Sequence, residues 1–167
     1  MNWNREKRIR ELPKLLERSI LLLDGAMATM IQNHNLEEND YRGKDFKNHN
    51  CELKGNSDIL SITSPKIIRD IHKTFLNAGS DIIETNTFSS TSISQRDYQL
   101  ENISYELNYQ GALIARKTCD NFEQERPELP KYVAGVLGPT NRTASISPDV
   151  NDSGARNIVY DDLYESY

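Results

Sequence analysis

The sequence has few cysteines, no basic block and no long apolar run. Its 167 residues include two cysteines, Cys51 and Cys119, which is too few for a disulfide framework. Acidic residues outnumber basic ones, 25 to 20, and the two signs are mixed, which argues against nucleic acid or an anionic membrane as partner. No apolar stretch approaches the roughly 18 residues of a membrane helix, and the charged N-terminus lacks the apolar centre of a signal peptide. These absences predict a soluble, cytoplasmic protein.

The fingerprints of nucleotide and metal sites are also missing. The loops contain neither GxGxxG nor GxxxxGK[ST], so the sequence gives no support for a phosphate site. No CxxC or HExxH spacing is present, and both cysteines are interpreted as free thiols. The alternative is a metal site in which His49 and Cys51 supply two ligands and His34 or His72 supplies a third.

The apolar residues that are present alternate between strand and helix patterns. Residues 1–18 predict a helical extension weakened by Pro13, and residues 19–167 predict one domain. Within that domain we predict strands over 20–23, 82–85 and 132–137, helices over 65–78, 101–122 and from 159 onward, and a long polar loop over 33–57. Ser64-Pro65 marks the start of the first of these helices, and Ala78-Gly79 marks its end. The alternation predicts an α/β fold with parallel strands, either an open doubly wound sheet or a barrel.

Polar residues follow each predicted strand where it ends. In parallel α/β folds these carboxyl-terminal ends open onto the functional face. Asp24 and Glu84 could together accept hydrogen bonds from an amino group, whereas backbone N–H groups and Thr85, Asn86 and Thr140 could bind a carboxylate. This predicts a pocket for a small zwitterion such as an amino acid. The alternative is that an aspartate before glycine is only a turn residue.

Several long motifs resemble the homocysteine S-methyltransferase family, and in particular the N-terminal homocysteine-binding module of cobalamin-dependent methionine synthase. They occur in one order from about residue 19 to residue 167: LLLDGAMATMIQ, CELKGNSDILSITSP, AGSDIIETNTFSSTSISQ, YELNYQGALIAR and VAGVLGPTNRTASISPDV. The DG pair and the T-x-T-F stretch are shared with the wider family, which includes betaine-dependent enzymes. The GPTNRTASISPD stretch favours the cobalamin-dependent branch.

The resemblance implies a (β/α)8 barrel that transfers a methyl group to the sulfur of homocysteine and produces methionine. The donor would be methylcobalamin, ultimately recharged from methyltetrahydrofolate. The family's zinc ion, held by three cysteines, favours the thiolate, because a free thiol with a pKa of about 8.5 is mostly protonated at neutral pH. Carried over to this sequence, the residues that hold the amino-acid part of homocysteine are Asp24, Gly25, Glu84, Thr85 and Asn86.

The sequence departs from the family pattern in two ways. Ala28 stands where the family usually has glycine, which is unfavourable if that position needs a positive φ. The G-x-N-C and G-G-C-C segments that carry the zinc cysteines do not occur, nor do the folate, cobalamin and activation modules. We therefore expect the N-terminal part of a TIM barrel, about three βα units, which is inactive without the C-terminal half. The alternatives are a non-catalytic half-barrel that works with a complementary chain, a betaine- or S-methylmethionine-type fragment, or a different TIM-barrel or Rossmann-like enzyme.

Overall fold

Helices dominate residues 3–167, the part of the chain that the computed structural model describes. The elements are α1 (Arg5–Arg18), α2 (Met27–Gln32), α3 (Glu38–Arg42), α4 (Leu60–Thr63), α5 (Pro65–Ala78), β1 (Ile82–Glu84), α6 (Ser92–Gln95), α7 (Ser104–Glu125), β2 (Tyr132–Ala134) and α8 (Tyr160–Ser166). Short 3-10 turns at 57–59, 96–98 and 101–103 connect several of them. None of the helices in this described part is long and apolar enough to cross a membrane.

The strands form a small parallel sheet in which the order along the chain is also the order in space. β1 pairs with β2 so that Ile82 lies opposite Tyr132 and Glu84 opposite Ala134. On the other side of β1, Leu23 forms an isolated parallel bridge to Ile82, and the N–H of Asp24 donates to the carbonyl of Ile82 at 2.9 Å. The predicted α/β class and parallel pairing are therefore confirmed, with strands shorter than expected.

The prediction of a buried strand at residues 20–23 is wrong. Only one residue of this run makes a bridge to β1, and the side chains of Ile20, Leu22 and Leu23 are 90%, 55% and 51% exposed. The segment lies at the outer edge of the sheet, where β1 borders it on one side only. An apolar run shows a tendency toward burial, but burial also requires a neighbouring element to cover it.

Helix α5 begins and ends where the sequence predicts. Pro65 occupies its first turn, and Gly79 ends it in the left-handed region with φ of 113°, a conformation that glycine adopts without strain. Ser64 precedes the helix but makes no side-chain cap; its hydroxyl donates to the carbonyl of Asp40 instead. The apolar face of α5 packs against α7 and β1, and this places α5 and α7 over the sheet.

The buried apolar residues form two clusters. One lies among α2 to α5 and α7 and contains Ile31, Tyr41, Leu53, Ile59, Leu60, Ile68, Ile71, Leu100 and Leu107. The other joins α5, β1 and α7 and contains Leu76, Ile83, Ala115, Cys119 and Phe122. The predicted core position of Cys119 is confirmed.

The polar stretch 33–57 is ordered rather than a structureless loop, so that prediction is also wrong. It contains α3, and Tyr41 and Leu53 from this stretch are buried in the first cluster. The Glu38 carboxylate accepts hydrogen bonds from the backbone N–H groups of Leu53 and Lys54, at 2.7–3.0 Å. These hydrogen bonds connect the two ends of the stretch. The sequence shows no periodic pattern there, because only two buried apolar residues stand among many polar ones.

Helix α1 is joined to α7 by ion pairs and to the sheet by a hydrogen bond. Pro13 lies inside α1 without ending it. Arg8 pairs with Asp120 and Glu123 on α7, and the hydroxyl of Tyr132 donates to the carbonyl of Arg8 at 3.2 Å. Of the predicted extension 1–18, residues 1 and 2 lie outside the described part.

Candidate functional site

A cavity of about 410 Å³ lies at the carboxyl ends of the strands. Its lining comes from residues 26–28 at the start of α2, residues 55–58, residues 84–86, 88 and 89 at and after the end of β1, and Tyr98 and Val136. Among the described residues that line it, Asp58 and Glu84 are acidic, and none is lysine, arginine or histidine. The cavity lining therefore combines acidic and apolar side chains without a basic one, which suits a small amphipathic cation or zwitterion.

Asp24 and Glu84, the two predicted acids, are brought together at the sheet end. One carboxylate oxygen of Asp24 accepts a hydrogen bond from the backbone N–H of Glu84 at 2.9 Å. Burial raises the pKa of Asp24 to about 6; that hydrogen bond works against the shift, and the nearby charge of Glu84 adds to it. Glu84 lines the cavity, whereas Asp24 is not among the lining residues and reaches the site through its hydrogen bond to Glu84. The pair therefore concentrates negative charge at the edge where a ligand enters.

The Asp24-Gly25 turn leads into α2 through a strained residue. Ala26, not Gly25, has the positive φ, at 47°, and open space surrounds the position where a Cβ on Gly25 would stand. Ala28, the departure from the family pattern, lies inside α2 and lines the cavity. Its backbone is helical, so its methyl group costs no backbone strain and only narrows the cavity.

Thr85 and Asn86 lie at the cavity, but their donor hydrogens are used inside the protein. The Nδ2 group of Asn86 donates to the carbonyl of Ser57 at 2.9 Å and to the hydroxyl of Ser61 at 3.2 Å. The Thr87 hydroxyl donates to the carbonyl of Val136, so the proton in the 2.7 Å Thr85–Thr87 pair comes from Thr85. These bonds fasten the turn after β1 to its neighbours. They leave no side-chain donor of Thr85 or Asn86 for a ligand carboxylate in this arrangement.

The Gly138-Pro139-Thr140 turn after β2 approaches the turn after β1 closely. A Cβ placed on Gly138 would stand 2.0 Å from the carbonyl oxygen of Phe88, so only glycine fits there. Thr140 is not among the residues that line the cavity, and its hydroxyl donates to the carbonyl of Arg142 at 2.6 Å. The structure thus places Thr140 beside the cavity-lining turn and not on the wall itself.

Asp58 is a cavity residue that sequence reasoning missed. It lies in the 3-10 turn before α4, its side chain is 3% exposed, and it lines the cavity. Its Oδ2 atom accepts hydrogen bonds from the N–H of Ser89 at 2.6 Å and the hydroxyl of Ser90 at 2.9 Å. Burial raises the pKa of Asp58 to about 6. The only signal in the sequence was an acid directly before the apolar run ILSI, a pattern equally typical of a helix start.

The thiols and imidazoles of the described residues are dispersed. No group of three or more His, Cys, Asp or Glu side chains in residues 3–167 could hold a metal ion. The thiol of Cys51 lies 3.7 Å from the carbonyl of Asp97, and His49 is bonded to a different carbonyl, that of Tyr98. Burial raises the pKa of the Cys119 thiol to about 12. The alternative metal site at His49 and Cys51 is therefore not assembled.

Comparisons with known proteins identify the family of the chain. The family model for homocysteine S-methyltransferase matches residues 21–167. The metallated form of the homocysteine methyltransferase MmuM from Escherichia coli is 27% identical over 77% of this chain, with a TM-score of 0.60. The oxidized form of MmuM is 28% identical over the same share, with a TM-score of 0.61. The chain spans about two fifths of the length of MmuM, 41% and 40% in the two structures. With nearly the whole sequence matched, the chain belongs to the homocysteine S-methyltransferase family.

Proposed function

We propose that this chain forms part of the homocysteine pocket of a (β/α)8 barrel that methylates the sulfur of homocysteine to give methionine. The observation that carries the proposal is the acidic cavity at the strand ends, with Glu84 in its lining and Asp24 hydrogen-bonded to Glu84. In this proposal residues 19–167 contribute about three βα units of the barrel, and α1 packs beneath them. The remaining units complete the wall around the substrate.

Glu84, supported by Asp24, binds the ammonium group of homocysteine. A carboxylate facing a cavity without basic residues attracts a cation strongly, because little competing positive charge is present. Gly25 leaves space for the substrate to approach the backbone. Thr85 and Asn86 shape the pocket through their internal hydrogen bonds. Thr140 remains a predicted contact of the substrate carboxylate, which it could reach only after giving up its bond to Arg142.

The apolar side chains that line the cavity suit the aliphatic part of the substrate. Met27, Phe88 and Val136 line it, and together they can cover the two methylene groups between the amino-acid head and the sulfur. Removing that part of the substrate from water strengthens the ion pair at the head group. The head and chain contacts therefore fix the direction in which the sulfur points.

The described residues do not fit a zinc ion, because no cluster of suitable ligands exists among them. We propose that zinc, and with it the ionisation of the substrate thiol, belongs to the complementary part of the barrel. The partners of this chain would then be that C-terminal half and, in a methionine synthase, the folate and cobalamin modules. For the chain itself, we therefore propose a half-barrel that binds the substrate alone and catalyses methyl transfer only when the C-terminal half associates with it.

Three methyl donors are compatible with the predictions from the sequence: methylcobalamin, betaine and S-methylmethionine. The GPTNRTASISPD stretch favours methylcobalamin and a methionine synthase. The likeness to the homocysteine methyltransferase MmuM supports methylation of homocysteine and does not choose among the donors. Offering each donor in turn to this chain assembled with a complementary half-barrel, and measuring the methionine formed, distinguishes the three.

The proposed pocket is tested by binding of homocysteine to the chain, measured by isothermal titration calorimetry at pH 7.5 under reducing conditions. We expect Glu84→Gln to weaken binding roughly tenfold or more, since it removes a charged hydrogen-bond acceptor. The matched control is Glu101→Gln, which removes the same charge from an exposed position outside the cavity. Absence of binding to the unaltered chain, or equal affinities for all three proteins, would contradict the proposal.

A further inference from the structure

Asp58 is unusual among the deeply buried charged residues of the described chain. Glu123, which is 6% exposed, pairs with Arg8 and Arg116. Lys131, also buried, pairs with Asp81 at 2.9 Å. Asp58 is more buried than either, yet no arginine, lysine or histidine of residues 3–167 forms an ion pair with it. A buried charge without a counterion is unfavourable unless something else pairs with it.

The internal contacts of Asp58 engage only one of its two oxygens. The N–H of Ser89 and the hydroxyl of Ser90 both donate to Oδ2. No N–H or O–H group of the described residues donates to Oδ1. Because Asp58 lines the cavity, Oδ1 is the atom that remains available to a ligand. The two serine contacts fix the carboxylate so that this oxygen cannot rotate freely.

The surroundings of Asp58 define the ligand group that would fit. Glu84 lines the same cavity, and no lysine, arginine or histidine among the described residues lines it. The donor hydrogens of Asn86 are turned to Ser57 and Ser61. The cavity lining therefore carries two carboxylates and no positive charge, which matches a primary ammonium group with its three N–H donors.

We propose that Asp58 is a substrate-binding residue whose Oδ1 accepts a hydrogen bond from the ammonium group of the amino-acid ligand in this cavity. The inference rests on the proposed function, and it adds to the family-derived pair Asp24 and Glu84 a third acid from a different segment of the chain. The ammonium supplies the counterion that the buried carboxylate lacks. The competing explanation is that Asp58 only holds the turn at Ser89 and Ser90.

The test is the binding of two probes to the chain by isothermal titration calorimetry: homocysteine, and 4-mercaptobutanoate, which lacks the amino group. In Asp58→Asn we expect roughly tenfold or greater loss of affinity for homocysteine and less than roughly twofold change for 4-mercaptobutanoate. Asp45→Asn is the matched control, because it removes the same charge from an exposed position in the 33–57 stretch. Ser90→Ala removes one contact of the turn and keeps the carboxylate, so we expect it to retain homocysteine binding.

The outcomes separate this inference from the function on which it rests. If the unaltered chain binds homocysteine and Asp58→Asn binds it equally well, the role of Asp58 is refuted and the pocket stands. If Asp58→Asn and Ser90→Ala lose both probes together, Asp58 acts only by holding the turn, and the inference is again refuted. If the unaltered chain binds neither probe, the proposed function fails and the inference fails with it. Circular dichroism of each variant verifies that the helices are retained.

Discussion

Replacing Asp58 by asparagine should stabilise the unliganded protein at neutral pH. The carboxyl group is almost completely buried and has no cationic partner among the described residues. Burial raises its pKa from 3.8 to about 6, and a shift of that size corresponds to about 3 kcal/mol of unfavourable free energy when the group is ionised. Asparagine keeps an oxygen for the two serine contacts and carries no charge. We expect a gain of about 1–3 kcal/mol, since some hydrogen-bond geometry is lost.

The gain should depend on pH in one direction. The folded-state pKa is the higher one, so between pH 3.8 and about 6 the folded protein holds a proton that the unfolded chain has released. The free energy of unfolding of the unaltered protein therefore falls, as far as this group is concerned, while the pH rises through that window. Below the window both states are protonated and the penalty disappears. The advantage of Asp58→Asn should thus be small at pH 4 and complete at pH 7.

Urea unfolding followed by circular dichroism at pH 4, 5, 6 and 7 measures this advantage directly. Subtracting the unaltered protein removes the contributions of other titrating groups that both proteins share. Asp45→Asn, which alters an exposed acid, should give a nearly constant difference. A variant Asp58→Asn that is less stable by the same amount at every pH would refute the reasoning, because its hydrogen bonds to the turn would then outweigh desolvation.

Three further predictions concern the frame around the site. Gly138→Ala should lower the free energy of unfolding by about 1–3 kcal/mol or more, because its methyl group meets a backbone carbonyl at 2.0 Å; Gly135→Ala, which meets nothing within 4 Å, is the control in thermal melts. His72 is fully buried with both ring nitrogens unpartnered, and burial lowers its pKa from 6.5 to about 4. Between pH 6.5 and 4 the contribution of this ring alone should therefore lower the free energy of unfolding by about 3 kcal/mol, and the difference between the unaltered protein and His72→Leu in acid titrations measures that contribution. Glu123→Ala should lower the free energy of unfolding by about 2–4 kcal/mol in urea, because Arg8 and Arg116 each lose one of their two carboxylate partners and keep only Asp120, whereas the exposed Glu125→Ala should cost little.

Local signals in the sequence were sufficient to predict the helices whose start, end or buried face is marked by nearby residues. Pro65 and Gly79 bound α5 because one lacks the N–H that a first turn does not need and the other adopts the left-handed stop. The stripe through Leu107 and Cys119 on α7 is buried as its spacing predicts. These features depend on residues within one or two turns of each other, so the sequence alone contains them.

Features that depend on distant contacts could not be predicted in this way. Whether the run at 20–23 is buried depends on what covers the sheet edge, and periodicity within the run cannot report that. The donors of Asn86 are used by Ser57 and Ser61, some 25 to 29 positions earlier, which changes what this predicted ligand residue can offer. The position of Asp58 at the cavity depends on hydrogen bonds from Ser89 and Ser90, which lie 31 and 32 positions later in the chain.

Asp24 at the end of the sheet and Asp58 in the turn before α4 give one physical explanation for site and stability together. Asp24 and Asp58 both have pKa values raised to about 6, in each case mainly by burial, so each opposes folding when it is ionised at neutral pH. A sequence selected for stability alone would place neutral residues there. Their presence is explained if a ligand ammonium restores the missing positive charge, since binding then recovers free energy that folding left unfavourable. The same reasoning requires that the substitution which weakens binding most at Asp58 is also one that stabilises the empty protein.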